Sequence, residues 1–167
     1  MKFTGSVPST TVRLPGLTPN GNPLVHTNGH WDFPEPMGGK EFSGFVYVVY
    51  DRILNRGYLG KKTYWGAGKL NAGKESNWKS YSTSSDILKA LLKVRPKDEF
   101  EFICLEQYRM KGALSYAETW SACLCEVPTT SAWYNTRIEA VSWSVREPIS
   151  KRHKDRLERI RLKVLRV

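Results

Sequence analysis

Two tyrosines, a run of lysines, one helical glutamate and an asparagine are the residues of this sequence with chemistry to offer. Tyr47 and Tyr58 flank a stretch, Asp51 to Gly57, whose Asn55 and Gly57 favour a turn. Lys61 and Lys62 follow at once, Lys79 comes later, and Glu118 and Asn135 lie further on. These types suit phosphodiester hydrolysis, which needs a water made nucleophilic, charge stabilised on the phosphoryl oxygens, and help for the leaving oxygen. A carboxylate on a rigid helix can hold one divalent ion that keeps most of its waters. Glu118 suits that role; a plain solvated helix glutamate is the alternative. Tyr47 and Tyr58 also read as a cross-strand aromatic pair that only stabilises a sheet. A free phenol has a pKa of about 10, too high for a base at neutral pH, but nearby cations lower it. Lys61, Lys62 and Lys79 are the cations at hand. Asn135 can orient a ligand or loop through its amide, or serve as a turn residue after Tyr134.

The elements that must position these groups follow from periodicity. Phe45-Val46-Tyr47-Val48-Val49-Tyr50 is β-branched and aromatic, a strand buried on both faces. Tyr58-Leu59-Gly60 begins the return strand of a hairpin. Lys61 to Trp78, with Gly66, Gly68 and Gly73, reads as a long loop. Ser84 or Ser85 can cap a helix running to about Val94, because Ile87, Leu88, Leu91 and Leu92 share one face and Pro96 lies just beyond. Phe100 to Leu105 is a third strand, and Ser115 to Cys125 a second helix. The order β-β-α-β-α predicts a compact α+β unit with a small, mostly antiparallel sheet. Residues 1–43, rich in Pro, Gly and Asn, read as an irregular N-terminal arm whose one sticky spot is His30-Trp31-Asp32-Phe33-Pro34. Residues 44–140 form the domain, and 141–167 a linker and basic C-terminal helix.

Several of these residues carry a family resemblance. Gly44-Phe45-Val46-Tyr47, Asn55 and Tyr58-Leu59-Gly60-Lys61-Lys62 resemble the hairpin of GIY-YIG nucleases. Trp78-Lys79-Ser80-Tyr81 with Ser84-Ser85, Ser115-Tyr116-Ala117-Glu118 and Trp133-Tyr134-Asn135 resemble the Seg-like phage homing endonuclease branch. The resemblance runs from about Gly44 to Ile138. It implies a metal-dependent DNA endonuclease of phage or mobile-element type. Glu118 would be the ligand of one Mg2+ or Mn2+ ion, Tyr47 the general base, Tyr58 its partner and Asn135 the closing asparagine. In one place the sequence departs from the family, which usually carries a catalytic Arg in the first helix after the Tyr-x-Gly strand. No Arg occurs between Arg56 and Arg95. Lys62 and Lys79 are the substitutes, although a lysine offers a point charge where an arginine offers a fork.

Charge supports a polyanionic partner. The chain carries 26 Lys+Arg against 16 Asp+Glu, a net +10, and each phosphate neutralised releases a counterion. From Ser150 onward lie Lys151, Arg152, Lys154, Arg156, Arg159, Arg161, Lys163 and Arg166, against Asp155 and Glu158. Leu157, Ile160 and Val164 form a narrow apolar stripe there. The segment reads as a surface helix or as one lying along DNA phosphates, with Lys61 as a further contact. The expected partner is double-stranded DNA, with a second copy of the chain for double-strand cutting. A DNA-binding protein that has lost catalysis is the competing reading. With no run of ~18 apolar residues, a membrane span is not expected. Three cysteines and no apolar leader suggest buried free thiols in a cytoplasm, that of a phage-infected bacterium. The spacing of Cys123 and Cys125 is poor for zinc.

Overall fold

Strict alternation of side chains sorts the central strand between two cores. In the computed structural model, which describes residues 28–67, 69–138 and 149–164, strand β1 is Gly44–Asp51 and every residue in it is buried. Phe45, Tyr47 and Val49 face one core, while Val46, Val48 and Tyr50 face the other. Strands β2 (Arg56–Thr63) and β3 (Phe100–Tyr108) flank β1 in an antiparallel sheet of order β2-β1-β3. The hairpin turns where expected. Asn55 takes a positive φ of 51°, and the Asp51 carboxylate accepts the Ile53 and Leu54 amides. β2 runs through Thr63, so Lys61 and Lys62 are strand residues and the expected loop starts later.

Helix α1 (Asp86–Val94) is capped by Ser85, whose side chain accepts the Leu88 amide. Helix α2 (Lys111–Leu124) begins one turn earlier than its apolar pattern predicts. Helix α3 (Lys151–Val164) joins α2 on the same sheet face, burying Leu157, Ile160 and Val164. The described residues therefore show the α+β order β-β-α-β-α expected, with the basic helix appended.

Both sheet edges are covered by backbone. On β3, Asp32 donates its amide to Phe102 and accepts from Cys104. Trp31, Phe33 and Met37 beside it are buried, with the Trp31 ring 4.9 Å from Phe45 and 5.0 Å from Tyr47. The sticky spot is thus core material; the arm's residues 1–27 lie outside the described residues. On β2, the Gly57 amide donates to Ala132 and its carbonyl accepts from Tyr134.

Candidate active site

The β2 edge opens into a cleft of about 590 Å³. Its walls come from β2 (Tyr58, Leu59, Lys61), the segment before and into α1 (Tyr81, Ser84, Ile87), α2 (Glu118, Thr119) and the chain after α2 (Tyr134, Asn135, Arg137). Of the residues singled out in the sequence, the cleft gathers Tyr58, Lys61, Glu118 and Asn135.

Glu118 lies on α2, which packs on β2. The Lys61 ammonium stands 2.6 Å from its carboxylate. Both side chains remain partly open to the cleft. Tyr58, on the opposite face of β2 from Lys61, brings its hydroxyl within 2.6 Å of Ser84 Oγ. Asn135 acts as a clamp: its Oδ1 accepts the Leu59 amide at 2.9 Å and its Nδ2 donates to the Leu59 carbonyl at 2.8 Å. A carboxamide here continues the strand pairing that Ala132 and Tyr134 begin.

Tyr47, to which the resemblance gives the base role, sits behind the residues that line the cleft. It is fully buried and does not line the cleft. Burial first, then the neighbouring Tyr81 and Tyr58, push its pKa well above the ordinary 10, with only Ser84 pulling it down. Its hydroxyl donates to that of Tyr81 at 3.4 Å and also feels the Ser84 side chain, so Tyr47 meets the cleft through these two lining residues. Its ring also explains the glycine of Tyr-x-Gly. Gly60 pairs with Tyr47 across the hairpin, and a Cβ at Gly60 would sit 2.7 Å from the Tyr47 oxygen.

Neither substitute lysine lines the cleft. Lys62 donates to Asn77 at 2.9 Å and lies 4.3 Å over the Tyr81 ring. Desolvation lowers its pKa. Lys79 is 3.6 Å from Glu75 and is half exposed. Trp78 is core, its ring 5.0 Å from that of Tyr64; Trp65 is half-buried and donates to Phe42.

Helix α3 packs on β3, at the sheet edge opposite the cleft. Several of its cations are engaged. Arg152 pairs with Glu35 at 2.6 Å, Arg156 with Asp32 at 3.4 Å and Lys163 with Glu101 at 3.4 Å, all acids of the body. Lys151 pairs with Asp155 and Arg161 with Glu158 along the helix, and Arg159 donates to the Asp155 carbonyl. Lys154 is exposed. Arg166 lies outside the described residues.

Two groups of this architecture were not assigned from sequence. His153, on the basic helix α3, is fully buried. Ser121 donates its hydroxyl to Ala117, so at 2.7 Å it accepts from His153 Nε2. Nδ1, 2.9 Å from the Tyr108 hydroxyl, is then the bare nitrogen, and burial lowers this imidazole's pKa to about 4. Asp51 is buried beneath the hairpin. Arg95 grips it with bonds of 2.6 and 2.8 Å, and Tyr134 donates at 2.8 Å. Burial alone would raise its pKa; those donors and the Leu54 amide hold it at about 2. Cys104 and Cys125 are the buried thiols expected, but Cys123 is exposed on α2.

A model of the family described as "Putative endonuclease segE, GIY-YIG domain" matches residues 32–138, well over half of the chain. The chain belongs to the SegE GIY-YIG family. The match starts at Asp32, inside the segment that the β3 edge holds, and ends just beyond the Asn135 clamp. Comparison with curated proteins and with solved structures returns no match. GIY-YIG endonucleases act on nucleic acid and generally use a divalent metal. The described residues hold no cluster of three His, Cys, Asp or Glu that could bind an ion. A cation here would therefore rest on Glu118 and water. One carboxylate at an open cleft with hydroxyls opposite is a hard-oxygen donor set, which fits Mg2+. Among the described residues, no helix is long and apolar enough to cross a membrane.

Proposed function

We propose that this SegE-family chain is a metal-dependent endonuclease that hydrolyses DNA phosphodiester bonds in the β2-edge cleft. The observation that carries the reading is that one cleft holds the Glu118 carboxylate and the Tyr58 hydroxyl, with Lys61 between β2 and α2. Glu118 would hold the ion, and a divalent ion bound there supplies Lewis-acid polarisation of the phosphoryl group. Tyr58 orients the attacking water, and its Oη accepts the water's proton as its own proton passes to Ser84 Oγ and on to solvent. The new P–O bond forms as the bond to the leaving sugar oxygen breaks, and that oxygen takes a proton from solvent. Lys61 exchanges its contact with Glu118 for one with the entering phosphate. The basic surface draws DNA in.

The test is conversion of supercoiled plasmid to nicked or linear form. The wild type cuts with Mg2+ or Mn2+ and stops with chelator. Glu118→Gln, which keeps shape and loses charge, binds DNA without cutting. A folded Glu118→Gln protein that cuts at the wild-type rate would remove Glu118 from the mechanism. A wild type that binds DNA but never cuts would favour the catalytically inactive scaffold.

A further inference from the structure

We propose that Arg137 supplies the guanidinium that grips the scissile phosphate. The inference rests on the endonuclease reading and adds to it the group that stabilises developing phosphoryl charge.

The argument begins with what the cleft lacks. Hydrolysis of a phosphodiester builds negative charge on the non-bridging oxygens, and preorganised cations aimed there are a large part of catalysis. The cationic cleft-lining residues are Lys61 and Arg137. Lys61 is paired with Glu118 at 2.6 Å, and once turned to the phosphate it offers a single point charge and no fork. Helix α1 lines the cleft with Asp86 and Ile87, neither of them a cation; its Lys89 stands near enough to Tyr58 and Tyr81 to feel them, but is paired with Asp86. Lys62 and Lys79 lie outside the lining and have partners of their own. Arg137 is exposed and has no ion-pair or hydrogen-bond partner among the described residues.

Its placement is also fixed. The chain leading to Arg137 is tied down at Tyr134, by the Gly57 carbonyl and the Asp51 carboxylate. It is tied again at Asn135, by both backbone groups of Leu59. Two residues of chain span at most ~7 Å, so the root of Arg137 stays beside β2 at the cleft mouth. A guanidinium there can meet a phosphate with two parallel N–H donors, which a lysine cannot. On this account the Asn135 clamp is a positioning device, and the residue it positions is Arg137.

The test compares wild type, Arg137→Met and Arg137→Lys in single-turnover plasmid nicking with Mn2+, at protein concentrations that saturate the DNA. Affinity for a short duplex is measured separately in chelator. Arg137→Met should slow cutting about 100-fold, the loss typical of one transition-state donor, with affinity changed only a few-fold. Arg137→Lys should recover part of the rate, as a point charge would. Thermal melting of each variant should match wild type, since the side chain holds nothing together. Arg137→Met cutting at the wild-type rate, or a deficit that vanishes at higher protein concentration, overturns the proposal while leaving the nuclease reading intact. A wild type that leaves the plasmid supercoiled overturns both.

Discussion

Tyr47 and Tyr58 differ by what lies over their hydroxyls. Both belong to the motif, and the sequence offers no reason to prefer the less buried one. Burial depends on Trp31, thirteen or more residues upstream of any motif, and on Tyr81 from the loop beyond β2. Hence the pairing of the two rings, 6.3 Å apart, was legible from spacing and their division of labour was not. The structure carries a measurable consequence. Tyr58→Phe should reduce the cutting rate about 100-fold with little change in melting temperature. Tyr47→Phe should cost less activity, because its buried oxygen reaches the cleft only by way of Tyr81 and Ser84. Equal rate losses in single-turnover assays would restore Tyr47 to the base role that the family resemblance implies.

Among elements, the hairpin, α1 and the capping segment meet at Asp51. The sequence marks Asp51 only as the start of a turn, since its partners Arg95 and Tyr134 are remote in the chain. The strands and helices themselves were readable because their patterns are local: β-branched alternation for β1, a serine cap and a leucine face for α1. The start of α2 was missed because Lys111 and Gly112 carry no apolar signal. Asp51→Ala removes the anion from the hub, leaves the buried Tyr134 hydroxyl without its acceptor and leaves Arg95 paired with Glu99 alone. A buried hydroxyl left unpaired costs about 1–3 kcal/mol. Urea unfolding of this variant should show a lower midpoint with an unchanged slope. A loss under ~1 kcal/mol would mean that the pair behaves like a surface contact.

At the scale of the whole molecule, α3 is part of the body. Its stripe of Leu157, Ile160 and Val164 is nearly inaccessible, and burying each such side chain contributes about 2 kcal/mol. Deleting the tail would therefore unfold the protein before it reported on DNA. The cations that remain outward are the better probe. Replacing Lys154 and Arg159 by Gln should make the slope of log affinity against log salt shallower by about one to two; an unchanged slope would exclude α3 from phosphate contact. His153 ties the same helix to pH. In the unfolded chain its imidazole takes a proton near 6.5, in the fold only at about 4. His30 behaves alike, desolvated first and then opposed by Lys97. Between those values the unfolded state binds more protons, so stability falls as pH drops from 6.5 to 4 and is level above 6.5 on this account. Unfolding titrations at pH 7.5 and 5 should show that fall, and His153→Gln should flatten it. An equal slope in the variant would assign it to other groups.

The backbone coverings on β2 and β3 bear on how two copies could ever meet. A bare strand edge is a template on which another chain can zip, and pairs built that way are flat, persistent and prone to grow into fibres. Here Asp32 occupies one template and the Asn135 amide part of the other. Two copies brought together would find the backbone groups of Phe102, Cys104, Gly57 and Leu59 already taken at these edges, and would meet there through side chains.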